Sequence, residues 1–440
     1  HANASSEGFA KVMQAGLDAT DAVVGNSNGD AKAAIASAAR RVEAVYGYPH
    51  QNHACMEPMN AVARFTADRC EVWTPTQNGE AALAAAAEES GLPAAKCEVY
   101  KINLGGGFGR RGAFQDYVRQ AVLIAKQIPG VPVKLQWSRE EDMTQGRYHP
   151  ITQCKLTGGF DANNNLTSLH VRVSGQSILT SVRPEALVNG MDPAVFQGMA
   201  PSGEFEFGYN AIPNYMIDHA MRNPHVPPGF WRGVNINQNA IYMECFMDEL
   251  AKAAGQDPLE FRRKLMSKNP KHLAVLNAVA EKAGWGTPAP KGVFRGLAQT
   301  MGFGSYVAAC AEVSVSKNGD LKIHRIVAAT DPGYAVNPDN IQAQLQGSVV
   351  HGLTAIFWGE MTVKDGRIEQ SNFHDYRMMR MNEMPKVETV IAPTGGFWGG
   401  VGEPAQAPLA PALCNALFAA TGQRIRSLPL KNHGMTLVKA

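Results

Sequence analysis

Several short stretches set residues capable of chemistry among glycines. Leu104-Gly105-Gly106-Gly107-Phe108-Gly109-Arg110-Arg111 follows a strand-like run from Cys97 and precedes a helix-like run from Phe114 to Gln127. Three consecutive glycines remove every Cβ, so the backbone can approach a ligand closely and take up positive φ. Amides that turn into a helix start can then donate to anionic or electron-rich atoms. A tight strand-to-helix turn that binds nothing would read the same way. The string matches neither the dinucleotide fingerprint nor a P-loop. Glu403, between Gly402 and Pro404, sits where a helix starts. An acidic residue there serves as a cap and meets the helix dipole. Beside glycines and ahead of an apolar helix, it can equally be a half-buried base with a raised pKa. Gln77, in Thr74-Pro75-Thr76-Gln77-Asn78, is either a polar loop residue or a donor that never titrates. Arg110 and Arg111 suit a phosphate partner or an ion pair at a surface or between domains.

The elements that must hold these stretches follow from pattern. Residues 1–45 are rich in Ala, Ser, Asn and Gly and carry helical patterns at Ser5–Ala15 and Asp30–Val45, which suggests a helical lead-in or linker. From Tyr46 the pattern changes. Asn60–Phe65 and Arg69–Thr74 read as paired strands, and Glu80–Ser90 as a helix ended by Gly91-Leu92-Pro93. Val133–Trp137 is a strand, Ser138–Asp142 opens a short helix, and Gln153–Gly159 with Leu166–Ser174 forms a hairpin. Gln176–Val226 is proline-punctuated and reads as irregular. Asn237–Gly255 reads as an amphipathic helix, followed by helices at Pro258–Ser267 and Lys271–Gly284, and Pro288–Gly292 is the best domain boundary. Strands return at Gly296–Gly302, Tyr306–Ser316 and Leu321–Thr330, the last two joined by the turn Lys317-Asn318-Gly319-Asp320. Asn340–Glu360 is helical with a glycine interruption, and Ala405–Thr421 is a buried helix. The class is α+β.

With 440 residues and 45% hydrophobic content, the chain can bury a large core spread over two or three domains. A net charge of +2 and the lack of any basic block argue against a nucleic-acid partner. No apolar run approaches the ~20 residues of a membrane-spanning helix. The seven cysteines include no C-x-x-C pair, so their spacing suggests neither a zinc nor an iron–sulfur site, nor a disulfide framework. The chain opens on His1, which suggests a processed product or a fragment.

Trp73–Asn78, the triglycine loop, Trp231-Arg232-Gly233 and Gly400-Val401-Gly402-Glu403-Pro404, in this order, resemble the molybdenum-binding subunit of the xanthine dehydrogenase/aldehyde oxidase family. The likeness is greatest to its bacterial isoquinoline 1-oxidoreductase-like and aldehyde dehydrogenase large subunits, and it runs from about Tyr46 to the C-terminus. It implies an α+β chain with two molybdenum-cofactor-binding domains, at 46–287 and 288–440, after the 1–45 lead-in. It implies two catalytic residues: Glu403 as general base and Gln77 as donor to an oxo ligand of molybdenum. Gly106, Gly107, Phe108 and Gly109 would border the pterin and metal, and Arg232, Gln344 and Gly347 would contact the pterin. The metal would be carried by the pterin, with no protein ligand of its own. Three departures stand out: Arg110-Arg111 after the loop, Val234-Asn235-Ile236-Asn237 after Arg232, and Gln346 in place of a glutamate.

The resemblance further implies molybdopterin cytosine dinucleotide as cofactor and oxidative hydroxylation with water as oxygen donor. An aldehyde is the first expected substrate and a nitrogen heterocycle the second, with a non-catalytic assembly subunit as the rival reading. The family's Met-Gly-Gln-Gly pterin segment has no counterpart here, so a second polypeptide is expected to supply it. A partner chain with 2Fe–2S clusters, then a cytochrome c, would take the electrons, in the periplasm. Glu57, in His53-Ala54-Cys55-Met56-Glu57-Pro58, reads as a residue that holds loops together. Phe397 and Trp398 read as packing or as the lining of a substrate funnel.

Overall fold

The computed structural model describes residues 1–201 and 206–439. Among the described residues three main sheets carry the chain, beside a two-stranded one at Val363–Lys364 and Arg367–Ile368. The first has five strands in the order Val23–Asn28, Asn214–Met221, Leu166–Gly175, Thr152–Phe160, Arg40–Tyr48. The second runs Phe294–Gly302, Ser305–Val315, Asp320–Asp331, Lys386–Ile391, with the short Thr436–Leu437 also paired to Asp320–Asp331. The third, Cys97–Lys101, Cys70–Thr74, Asn60–Phe65, Val133–Gln136, is smaller. The helices Gly79–Ser90 and Asp116–Ala125 supply the rest of its separate core, which includes Ala82, Ala86, Tyr117, Val118 and Val122.

The helix Ile236–Ala253 joins the two larger sheets in one apolar cluster that extends from Ala44 to Leu437. It was expected to be amphipathic, yet every residue from Ile236 to Ala251 is buried. Its acidic residues are buried with arginine partners: Glu244 with Arg262 (2.8 Å), Asp248 with Arg424 (2.6 Å) and Glu249 with Arg426 (2.6 Å). Polar residues that look solvent-facing in sequence are therefore buried carboxylates met by arginines that range from fully buried (Arg262) to exposed (Arg426).

Residues 1–45 depart from a helical lead-in. Ser6–Gly16 is a helix, but Val23–Asn28 and Arg40–Tyr48 are the outer strands of the five-stranded sheet, and only Ala31–Ala36 is helical between them. Ala44, Tyr46 and Tyr48 are buried at every second position, a strand period that the preceding Ala-rich run obscures. Within the stretch read as irregular, Asn214–Met221 is an interior strand parallel to Leu166–Gly175. Buried residues there are consecutive (Ile217 to Ala220), so no alternation marks the strand. Residues 202–205 of that stretch lie outside the described residues.

Among smaller elements, Ser138 and Glu141 form a capping box at the start of Arg139–Thr144, and Pro338–Trp358 runs through Gly347 and Gly352 without interruption. All seven cysteines are free thiols.

Candidate functional site

The small sheet delivers the triglycine loop from the end of Cys97–Lys101. The loop is held by a fully buried Arg111. Its Nε donates to the Gly106 carbonyl (2.8 Å), its Nη1 to that of Pro75 (3.1 Å), and its Nη2 to the Glu57 carbonyl (2.8 Å) and carboxylate (3.0 Å). Glu57 in turn accepts from the Gly105 amide at 2.9 Å, so it does tie loops together. Arg110 is buried too, gripped by both oxygens of Asp116 (3.0 and 2.8 Å). Neither arginine is at a surface or free to meet a phosphate. The following helix begins only at Asp116, so the loop amides do not form its first turn.

Those amides serve Gln77 instead. Its Oε1 accepts from Gly109 N (3.0 Å) and Arg111 N (3.3 Å). The carboxamide is thereby oriented, and no described residue accepts from its NH2 group, on an exposed side chain. Gly109 has φ +103°, and a Cβ there would lie 2.1 Å from the Phe230 carbonyl oxygen, so only glycine fits. The Phe108 carbonyl accepts from Arg232 N at 2.9 Å, which joins this loop to the 230–233 turn.

Arg232 reaches onward. Its Nε donates to the Gly402 carbonyl (2.8 Å), and its Nη2 to the carbonyl (3.3 Å) and Oε1 (3.1 Å) of Gln344 and to Ser348 Oγ (3.1 Å). Gly347 lies beside the same guanidinium. The next amide, Gly233 N, points at Glu403 Oε1, 3.3 Å away. Glu403 precedes the single helical turn Pro404–Gln406, but its side chain makes no capping bond. Of its two readings in sequence, the cap is absent. The carboxyl is half-buried, and burial pushes its pKa above the ordinary range, opposed in part by the Gly233 N–H and the Arg232 guanidinium. Burial also lowers Arg232, and Glu403 counters that.

Gln77, Gly107–Gly109, Arg232, Gln344, Gly347 and Glu403 therefore meet at one junction of loops, linked through the backbones of 108–109 and 232–233. Sequence reasoning passed over Ser348, His351 and Gln406. Ser348 and His351 follow Gln344 at i+4 and i+7, one face of the Pro338–Trp358 helix, a spacing that could have revealed them. His351 stacks on both Phe108 (4.4 Å between ring centroids) and Trp231 (4.5 Å). A cavity of about 680 Å³ lies elsewhere, among Thr144–Gly146, Tyr148, His225–Pro227 and Gly366–Ile368. None of the junction residues lines it, and its titratable groups, Tyr148, His225 and Arg367, include no carboxylate that could act as a base, so the junction is the better candidate.

A model of the molybdopterin cofactor-binding domain matches residues 17–266, and a second model of that description matches 232–385. The chain belongs to the molybdopterin cofactor-binding domain family. It is 30% identical over 387 residues to isoquinoline 1-oxidoreductase subunit beta of Brevundimonas diminuta, covering 86% of this chain and 48% of that one. It is 28% identical over 406 residues to a membrane-bound aldehyde dehydrogenase (pyrroloquinoline-quinone) of Gluconacetobacter polyoxogenes, covering 86% and 52%. The chain thus spans about half the length of these relatives. In fold it is similar to quinoline 2-oxidoreductase from Pseudomonas putida 86, with a TM-score of 0.77 at 14% identity over 95% of this chain and 80% of that one.

Features of the junction suit a molybdopterin. Gln77 and Gln344 each have their carboxamide oxygen tied down and their NH2 group without a described acceptor, which leaves donors for an electron-rich ligand. A Cβ on Gly107 would lie 2.4 Å from Gln77 Oε1, so glycine is what lets the loop and this side chain close on each other. No group of three His, Cys, Asp or Glu among the described residues could hold a metal ion.

Proposed function

We propose that this chain is the catalytic portion of a molybdenum hydroxylase that oxidises an aldehyde to a carboxylic acid with water as oxygen donor, and that Glu403 is its general base. One observation carries the reading: a half-buried, uncapped carboxyl with a raised pKa faces the same junction as two oriented carboxamides. Gly106–Gly109, Arg232, Gln344 and Gly347 would hold the pterin, and Gln77 would donate to an oxygen on the metal. When bound, the cofactor supplies the two-electron redox chemistry that side chains lack.

The chain's own part is proton handling and orientation. Gly233 N–H holds Glu403 Oε1, and Oε2, which no described donor meets, takes the proton from the attacking oxygen. A raised pKa brings this base closer to working pH. Gln77 donates without changing charge, and its oxygen is pinned by two amides, so it needs no reorganisation when a partner arrives.

Molybdopterin cytosine dinucleotide, a 2Fe–2S partner chain and a cytochrome c complete the proposal. Oxidation of a nitrogen heterocycle is the second reading, favoured by the isoquinoline 1-oxidoreductase relative. The test begins with the purified complex. Metal analysis should find molybdenum, and extraction should release a pterin rather than a quinone. Glu403→Gln should keep both and lower turnover by about 10²–10⁴-fold, the range for a positioned general base. Unchanged turnover would make this chain an assembly subunit or move the base elsewhere. Parallel assays with aldehydes and nitrogen heterocycles decide the substrate class.

A further inference from the structure

The peptide between Arg232 and Gly233 touches Glu403 on one side and the packed interior on the other. Its N–H faces Glu403 Oε1 at 3.3 Å. Its carbonyl, in the same rigid plane, accepts from two side-chain amides, Asn237 Nδ2 at 2.7 Å and Gln406 Nε2 at 3.1 Å. Gly233 itself has φ +91°, and a Cβ would lie 2.3 Å from Asn237 Oδ1, so the close fit to Asn237 requires glycine. Because a carbonyl only accepts, Gln406 must turn its NH2 group to Arg232, and its Oε1 then faces His351 Nδ1 at 3.0 Å. An amide oxygen also only accepts, so this contact is a hydrogen bond in the tautomer that carries the proton on Nδ1, while the His53 backbone bonds the same ring. In that tautomer the bonds run from His351 to Gln406, from Gln406 to the Arg232 carbonyl, and from the Gly233 amide to Glu403. His351, Gln406 and Asn237 are buried, and Phe108 and Trp231 hold the His351 ring by stacking.

We propose that His351, acting through Gln406 on the Arg232–Gly233 peptide, is a positioning residue that sets how readily Glu403 takes a proton. This rests on the reading of Glu403 as the base. Linked hydrogen bonds polarise one another in a dry interior, so a donor two links away strengthens the last one. The charged group facing both Glu403 and His351 is Arg232; the His351 ring also meets the His53 backbone, and burial lowers the nearby His53 imidazole to about 3, so that ring is neutral. Burial, with Arg232, lowers His351 to about 4, so the ring stays neutral at assay pH and the relay keeps one polarity. The Gly233 N–H favours ionised Glu403. Weakening it raises the carboxyl further, and since only the ionised form accepts a proton, the acidic limb of the rate profile moves to higher pH.

Two substitutions separate the hydrogen bond from the stack. His351→Phe keeps a stacking ring and loses the donor; His351→Asn keeps a donor near Nδ1 and loses the ring. Each cofactor-loaded complex is followed by the pH dependence of kcat and by infrared titration of the Glu403 carboxyl band, identified by its absence in Glu403→Gln. The Phe variant should move both upward by about 0.1–0.4 pH unit, the scale expected when the bond to the carboxylate is weakened by a fraction and kept. The Asn variant should move them less. Gln406→Leu should reproduce the Phe shift, with no further shift in the double variant; it also serves as the test if the Phe variant does not fold. An unchanged Glu403 titration in the Phe or Leu variant overturns the proposal, and so does an Asn shift as large as the Phe shift. Should Glu403→Gln retain full turnover, the proposed function falls, while the infrared titration still reads the relay.

Discussion

Glu244 and Glu403 both have an arginine as neighbour, and the protein treats them in opposite ways. Glu244 is 1% exposed and receives Arg262 Nε at 2.8 Å, the Gln299 amide at 3.1 Å, the Gln299 side chain at 3.3 Å and the Tyr209 hydroxyl. Burial alone would lower the Arg262 pKa, but the Glu244 carboxylate overrides it and holds the guanidinium charged. Glu403 keeps one long bond from an amide, and its arginine spends its donors on Gly402, Gln344 and Ser348. A carboxylate whose lone pairs are all answered is framework, because no proton or ligand can reach it without breaking the network. One left partly unanswered, at a half-open junction and with a raised pKa, is available for chemistry.

Substitution should expose the difference most strongly at Glu244. Glu244→Gln leaves Arg262 charged and buried without a counter-ion, which costs about 3–5 kcal/mol by the measure of broken buried pairs. The midpoint of denaturant unfolding should fall accordingly. Glu403→Gln should do the reverse. A carboxyl whose folded pKa is raised favours the fold while protonated, below its unfolded pKa, and that contribution is lost as pH rises through the folded pKa. Against wild type, the Gln variant should therefore gain melting temperature at alkaline pH and show little gain at acid pH. A stability loss at Glu403 comparable with that at Glu244 would erase the distinction between the two sites.

The next effect is expected at the joint between the small sheet and the body. Gly109→Ala must carry a Cβ where the Phe230 carbonyl lies 2.1 Å away, at φ +103°. Backbone strain of this kind costs on the order of 1–3 kcal/mol, and the cheapest relief is for the 230–232 turn to move off Phe108. Glu244, within the central helix, is held by Arg262 and Gln299 and makes no bond to this joint, so it should not notice. Global unfolding should therefore shift modestly, while cofactor content of the purified protein falls more than stability does. Full cofactor content in the Ala variant would show that the Phe108–Arg232 contact does not shape the junction.

Local rules made much of the fold legible. The hairpin of Thr152–Phe160 and Leu166–Gly175, the turn at Gly319, the left-handed Gly91 and the Ser138–Glu141 capping box are all written in neighbouring residues. Arg40–Tyr48 and Asn214–Met221 were not, because their partners lie far along the chain and one is buried on both faces. The central helix misled for a related reason: Glu244, Asp248 and Glu249 read as a solvated face until Arg262, Arg424 and Arg426 close on them. At the junction, short motifs picked out residues that do come together, including Gln77, Arg232 and Glu403. Ser348, His351 and Gln406 carry no motif. Their significance lies in hydrogen bonds between segments more than 50 residues apart. Arg110 and Arg111 show the converse, a charged pair that looks ready for a ligand and is consumed internally.

The smallest effect sharpens the comparison from the open side of Glu403. Trp398 is 71% exposed and rests on Tyr334, 4.7 Å between ring centroids. The turn that follows it is pinned by Ser305 Oγ on the Gly400 carbonyl (2.7 Å) and by Gly400 N on the Phe303 carbonyl (2.8 Å), and it leads directly to Glu403. Glu244 has no exposed aromatic among its hydrogen-bonding neighbours, as befits a closed network. An exposed indole buries little area, so Trp398→Ala should change stability by no more than about 0.5 kcal/mol. If the ring guides substrate toward Glu403, KM for a flat aromatic substrate should rise a few-fold, KM for a small aliphatic one should hold, and kcat should not change for either. The indole would then be supplying uniform binding, felt equally in the ground and transition states. A fall in kcat with KM unchanged would instead mean that the turn itself had moved and carried Glu403 with it. Identical kinetics for both substrates would leave Trp398 as packing on Tyr334, and the approach to the carboxyl would have to lie on the Gln344 side of the junction.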